Sequence, residues 1–208
     1  MFDDIIVIGL TGQSGAGKTT VCDVFKKNCY EIINADLIAR DVTKRGSLCL
    51  GELTECFGER ILTEGGELNR RVLSDIVFSD EESLRQLNGV IYPYITYEIL
   101  QILKELSLKK TGEKRFILLD APTLFESRVD DFCDLIISVT ASEKNRLGRI
   151  LERDSISEEQ IRRRFNSQRT ERFFINNSDF IIKNNKSIDV LKAKAKEVSD
   201  KIKEYYRE

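Results

Sequence analysis

The chain opens on an unbroken apolar run at residues 4–10 (DIIVIGL), rich in isoleucine and valine. Such a run, without polar alternation, fits a strand covered on both faces, as in a parallel sheet. It leads directly into a glycine-rich segment. From Gly17 to about Asn28 the spacing turns helical, with Val21, Val24 and Phe25 on one face and Lys26 and Lys27 turned to solvent. Short apolar runs return at residues 30–34, 116–120, 135–140 and 180–183, with helical stretches between them. Strands alternating with helices predict an α/β fold with a mainly parallel five-stranded sheet flanked by helices.

Between the second and third runs, residues 37–110 carry apolar positions at helical spacing and no convincing strand pattern. This segment reads as a helical insertion into one core, with no repeat, low-complexity tract or proline-rich linker anywhere in the chain. Two capping boxes, Ser79 with Glu82 and Ser157 with Gln160, are expected to start helices, because each pair can satisfy free amides at a helix N-terminus. The last helix is expected from Ser187 to about Tyr206.

Residues 12–19, GQSGAGKT, form a P-loop between the first strand and the first helix. Gly12, Gly15 and Gly17 let the backbone curl with its amides inward around phosphates, and Gln13, Ser14 and Ala16 complete the loop. Lys18 places an ammonium on the β and γ phosphates, and Thr19, followed by Thr20, offers a hydroxyl to Mg2+. Nucleoside triphosphate binding follows, but not the reaction. No DxxG occurs, and Asn185-Lys186 is followed by Asp189 one residue too far for a guanine-reading NKxD, which argues against a GTPase. A kinase and a regulatory nucleotide binder both remain open.

Asp36 follows the second strand in NADLIAR, at the carboxyl edge where open α/β sheets place ligands. With no histidine in the chain, a carboxylate there is the natural acceptor for a hydroxyl proton in a kinase. Asp36 would serve equally well as a helix N-cap, and position alone does not choose between the two. Arg40, one helical turn on, suits an anionic acceptor.

Taken together, GQSGAGKTT, INADLIAR, GELNRRVLSDIVF at 66–78, LLDAPTLFE at 118–126 and DFIIKNN at 179–185 resemble the dephospho-CoA kinase family. The resemblance covers nearly the whole chain. It implies a P-loop NTPase fold similar to nucleoside monophosphate kinases, and transfer of the γ phosphate of ATP to the ribose 3′-hydroxyl of dephospho-CoA, the last step of coenzyme A synthesis. It further implies Asp36 as the base and Arg40 and Arg70 as acceptor ligands. The same resemblance implies that Pro122, Leu124, Phe125 and Glu126 border the acceptor pocket and that Asn184 lies near the adenine side. Asp120, ending a strand, either helps position the magnesium shell or simply caps that strand. Three positions depart from the family pattern: Asn34 replaces an aspartate, Thr123 a leucine, and Tyr92-Pro93 a His-Pro. Tyr92 offers a hydroxyl in place of the missing histidine.

Residues 146–172 hold eight arginines, Arg146, Arg149, Arg153, Arg162, Arg163, Arg164, Arg169 and Arg172, and no lysine. Guanidinium forks suit a lid over a polyphosphate, with Arg149 and Arg153 the chosen phosphate contacts and Arg149 a catalytic candidate. Pairing with Glu158, Glu159 and Glu171 on a solvated face is the plainer alternative for any single arginine. Phe165, Phe173 and Phe174 are expected to pack the lid against the core. The expected division is therefore a nucleotide-binding core at 1–36, 111–145 and 173–208, an acceptor-binding insertion at 37–110 and a lid at 146–172.

Composition adds exclusions rather than functions. A net charge of −2 over 208 residues gives no reason to seek nucleic acid. Five cysteines without a CxxC pair or any histidine make a zinc site or disulfide framework unexpected, and reduced, mostly buried thiols are the simplest reading. No apolar run approaches the length that spans a bilayer, and no basic segment leads into an apolar one at the start. A cytoplasmic enzyme working on small molecules, most simply as a monomer, is the expectation.

Overall fold

The computed structural model describes every residue except Met1, Asp3, Lys110, Thr111, Glu113, Ser155, Arg207 and Glu208. The expected boundary at 110/111 between insertion and core lies outside the described residues.

β1 (Ile5–Gly12) has all eight of its residues buried, which explains its unbroken apolar sequence. It is the middle strand of a five-stranded sheet that also contains β2 (Glu31–Asn34), β3 (Arg115–Asp120), β4 (Leu135–Thr140) and β5 (Phe180–Lys183), in the order β2-β3-β1-β4-β5. β1 runs parallel to both β3 and β4, with Ile8 opposite Leu118 and Leu135, and β4 runs parallel to β5. Because β3 and β4 flank β1 on opposite sides, the carboxyl end of β1 opens at a topological switch point, where doubly wound sheets bind ligands.

The chain forms two compact units, one comprising residues 1–33 and 106–208, the other Asn34–Glu105. In the first, α1 (Lys18–Lys27) and α9 (Ile188–Tyr205) pack on each other. Val21 and Phe25 from α1 and Leu191, Ala195 and Ile202 from α9 share a core with Ile6, Ile8 and Leu10 of β1. Tyr30 closes that core edge-on against Phe25, with ring centroids 4.7 Å apart, and its buried hydroxyl donates to the Ser199 carbonyl at 3.0 Å. Burying a polar tip is tolerable only with such a partner. Burial also pushes the Tyr30 phenol up to about 12. At the edge of the sheet, Arg115 on β3 grips both carboxylate oxygens of Glu31 on β2, at 2.7 and 2.8 Å.

The second unit contains α2 (Ala35–Val42), α3 (Leu48–Phe57), α4 (Arg70–Val77) and most of α5 (Glu81–Ser107). It has its own core of Cys49, Leu53, Phe57, Ile61, Leu73 and Val77, with Leu87, Val90, Ile91 and Tyr94 of α5 packed against it. Pro93 sits inside α5. A proline ring crowds the carbonyl four residues earlier, and that residue is Gly89, beside which an added side chain would meet open space.

Three expectations need correction. Ser79 does not cap α5. Asp80 takes the Ser83 amide at 2.8 Å and its hydroxyl at 2.7 Å, while Ser79 turns its own hydroxyl back to the Ile76 carbonyl. A carboxylate one residue closer to the helix won that position. The cysteines are all free but not mostly buried: Cys49 is buried, Cys22 and Cys133 are half-buried, and Cys29 and Cys56 are exposed. Leu62 and Leu68 also form one isolated antiparallel bridge, a trace of extended pairing inside a segment in which no strand pattern was expected. The second capping box, Ser157 with Gln160, forms as expected, and both of its reciprocal bonds are present.

Candidate active site

The phosphate loop is shaped by what stands behind it. Gly12 has φ 139°, and a Cβ there would lie 2.2 Å from the Val139 carbonyl of the neighbouring strand. Gly17 has φ 104°, and a Cβ there would lie 2.5 Å from the Asn184 amide nitrogen. Both positions therefore exclude any side chain on steric and conformational grounds at once. Gly17 is also the N-cap of α1, which has no side-chain cap and no acidic residue in its first turn. The free amides and the positive end of the helix dipole are thus left to a ligand anion. The Lys18 ammonium lies 3.2 Å from the Gly12 carbonyl, across the mouth of the loop, and Thr19 is exposed on the first turn.

Other side chains hold the loop's outward carbonyls. Arg149 of α6 (Glu143–Arg153) donates to the Gly15 carbonyl at 3.2 Å and to the Asn184 carbonyl at 3.0 Å. Asn184, just past β5, is buried and donates its side-chain amide to the Ala16 carbonyl at 2.7 Å. These two residues, read from sequence as nucleotide ligands, serve here as braces of the phosphate loop. Arg153 is exposed and forks onto the neighbouring Asp154 at 2.7 and 2.9 Å. In α7 (Glu158–Asn166), Arg162 and Arg163 pair with Glu158 and Glu159 one turn earlier, as the plainer reading of that cluster has it. Arg146 is buried with its guanidinium 4.1 Å from the centre of the Phe165 ring, and desolvation lowers its pKa.

The turn after β3 is tied to β1: Thr11 donates its hydroxyl to the Pro122 carbonyl at 3.2 Å. Leu124 requires correction as an acceptor contact, since it has no exposed surface. A Cβ on Gly9 would lie 2.9 Å from its methyl, so it fills the space under β1. Phe125 instead packs edge-on against Phe173 of α8 (Glu171–Asn176), with centroids 5.1 Å apart, and Glu126 lies 3.5 Å from Arg169. At the end of β3, Asp120 accepts a hydrogen bond from the Cys22 thiol, whose pKa burial pushes well up, with the Asp120 charge adding to the effect.

In the helical unit, the cap reading of Asp36 falls away. Asn34 is the N-cap of α2 and accepts the Leu37 amide at 3.0 Å, so Asp36 stands inside the first turn, exposed, with no capping duty. The family departure at Asn34 is thus a working cap. Asn34→Ala is expected to cost about 1 kcal/mol of stability. A lowered melting temperature with kcat nearly unchanged would check it.

Arg70, at the start of α4, donates to the Thr43 hydroxyl at 2.7 Å, just past the end of α2. Its pKa is lowered, first by burial and then by the charge of Arg40. With no carboxylate paired to either arginine among the described residues, the two leave positive charge available to an anion.

Gln168 escaped the sequence reading altogether. It lies among arginines, carries no charge and matches no phosphate motif. Only the folded chain brings it to the loop, where its carboxamide takes the Ser14 amide at 3.1 Å and donates to the Ser14 hydroxyl at 3.0 Å.

A parallel sheet with a phosphate loop at the end of its central strand, followed by an uncapped helix, defines the molecule as a P-loop nucleotide-binding protein. The match to known proteins makes this particular. The dephospho-CoA kinase family model matches residues 6–189, and the chain belongs to that family. The dephospho-CoA kinase of Fusobacterium nucleatum is 37% identical over 187 residues, covering 90% of this chain and 93% of that protein. The solved dephospho-CoA kinase from Campylobacter jejuni superposes with a TM-score of 0.67 at 25% identity, covering 95% and 97% of the two chains. TT1252 from Thermus thermophilus superposes with a TM-score of 0.73 at 28% identity over 96% and 98%. The chain is accordingly a transferase of the kinase class that uses ATP. Among the described residues, no helix is long and apolar enough to cross a membrane.

Proposed function

We propose that this chain transfers the γ phosphate of ATP to the ribose 3′-hydroxyl of dephospho-CoA, giving coenzyme A and ADP. The observation that carries the acceptor side is that Arg70 is tied to Thr43 at the end of α2, the helix that bears both Arg40 and Asp36, while neither arginine has a carboxylate partner among the described residues. A hydroxyl substrate that also carries phosphate charge satisfies both features at once: Asp36 receives the hydroxyl proton while the arginines hold the anion.

On the donor side, the amides where the loop meets the first turn of α1 and the Lys18 ammonium hold the triphosphate, and Lys18 offsets charge as it develops on the transferring group. Arg149 acts through the loop it braces, and Arg153 becomes a phosphate ligand only by leaving Asp154. Pro122 and Glu126 border the acceptor.

Among the described residues no cluster of three acidic or thiol side chains forms a metal cage. That suits Mg2+, which keeps water and phosphate oxygens as most of its ligands. The Thr19 hydroxyl would hold it directly, the Asp120 carboxylate at the end of β3 would help order its water shell, and it would neutralise charge on the β and γ phosphates. We further propose a monomer working in the cytoplasm, with the segment 146–172 as a lid.

ADP release measured with dephospho-CoA, adenosine, AMP and CMP tests the reading. Turnover is expected with dephospho-CoA at least about 100-fold above the others, because adenosine lacks the anion that the arginines hold, and AMP and CMP lack the diphosphate and the arm beyond it that would fix the ribose hydroxyl at the base. No turnover with dephospho-CoA would overturn the assignment.

A further inference from the structure

The turn between α7 and α8 is unusually well fixed for a connection in a segment expected to move. Ser167 ends α7 with its amide on the Arg163 carbonyl at 3.2 Å, and the Thr170 hydroxyl accepts the Phe173 amide at 3.3 Å to start α8. Gln168 lies between these anchors, with its own amide on the Phe165 carbonyl at 3.2 Å. Its neighbour Arg169 reaches Glu126 at 3.5 Å and stacks on Phe173, 4.9 Å from the ring centre. Phe173 in turn packs on Phe125. The turn is thus bolted to the core on one side.

On its other side, Gln168 meets the phosphate loop. One planar carboxamide satisfies both polar groups of Ser14, accepting from the amide and donating to the hydroxyl, across 154 residues of sequence. Only an amide of this length does both. A glutamate has no donor and adds negative charge beside a polyphosphate site, and an asparagine is one methylene short. The remaining outward groups of the loop are held in the same manner, with Gly15 on Arg149 and Ala16 on Asn184. With the Ala16 amide closing a turn on the Gln13 carbonyl at 3.1 Å and the Ala16 carbonyl fixed outward, the Gly17 amide is turned inward, which is the geometry that phosphate binding needs.

We propose that Gln168 is a positioning residue of the phosphate loop: its side chain, on a turn anchored by Arg169 to Glu126, clasps Ser14 and holds the loop in its phosphate-binding curl before nucleotide arrives. It touches neither phosphate nor acceptor. Its effect is preorganisation, so its loss appears in nucleotide affinity and in KM for ATP more than in kcat.

The test uses the full chain and a non-hydrolysable ATP analogue with Mg2+, titrated calorimetrically, so it does not depend on the acceptor assigned above. Failure of dephospho-CoA turnover would overturn that assignment alone, and the nucleotide titrations would still decide the clasp. Gln168→Ala is expected to weaken analogue binding roughly tenfold, two neutral hydrogen bonds being lost. Ser14→Ala should weaken it less, since the amide bond survives, and the double variant should bind no worse than Gln168→Ala. Gln168→Glu should be weaker than Gln168→Ala at low salt, with the gap closing at high salt as the added charge is screened, a signature that mere loss of packing does not give. Arg169→Ala, which loosens the anchor, should weaken binding about threefold in the same direction. Fully additive effects of the Ser14 and Gln168 changes would overturn the proposal. So would unchanged analogue affinity in a Gln168→Ala protein with wild-type circular dichroism and melting temperature.

Discussion

Replacing Lys18 by methionine is expected to lower kcat by about 10²- to 10³-fold, the usual loss when a single preorganised group facing transition-state charge is removed. The methionine keeps the apolar stem and the helical propensity of the first turn of α1, while the ammonium now lying 3.2 Å from the Gly12 carbonyl is lost. The amides of the loop remain and continue to hold ground-state phosphate, so affinity for the ATP analogue should fall far less than kcat. Arginine at this position should not restore the rate, because a planar fork does not replace a compact point charge in a curl this tight. Single-turnover kinetics with saturating ATP is the measurement. A kcat within a few-fold of wild type would remove Lys18 from the chemistry.

Asp36→Asn is expected to cost roughly 10²- to 10⁴-fold in kcat, the range for a positioned proton acceptor. The substitution is isosteric and leaves the start of α2 intact, since the capping bond to the Leu37 amide comes from Asn34. Melting temperature and affinity for the ATP analogue should both stay near wild type. The comparison with Asn34→Ala makes the result interpretable, because the two variants should divide the phenotype, stability lost in one and turnover in the other. Equal losses of stability in both, with turnover spared, would make Asp36 a helix residue and nothing more.

The donor half of the site was legible before folding because its chemistry is local. Eight consecutive residues supply the curl, the ammonium and the hydroxyl, and an apolar run before them and a helical pattern after them give the context. Sheet composition was legible for a similar reason. β1 is buried throughout and β3 and β4 are buried along their middles or carboxyl halves, so their apolar runs stand out in a chain with 33% charged residues. The braces were not legible in the same way. Arg149 and Asn184 stood out in sequence, but as ligands, because residue type announces which bonds a group can make and not which partner the fold will offer. Leu124 illustrates the same limit: its motif drew it toward the acceptor, and the absence of a side chain at Gly9 drew it into the core.

What the sequence by itself determined is what short-range spacing carries: the phosphate loop and its strand–helix frame, five strands, the helical reading of residues 37–110, and the candidates Asp36 and Arg40, with Arg70 added by the resemblance to the family. Tertiary structure alone decided the strand order that centres β1, the assignment of the α2 cap to Asn34 that releases Asp36, the approach of Arg70 to Arg40, and the fixing of Ser14, Gly15 and Ala16 by Gln168, Arg149 and Asn184. The division has a physical cause. Periodicity and backbone conformation are set by neighbours within a few residues, whereas a carbonyl that must be satisfied takes whichever donor the packed core brings near it, however distant in the chain. The phosphate loop belongs to both: its curl is written in its glycines, and its rigidity is supplied from more than a hundred residues away.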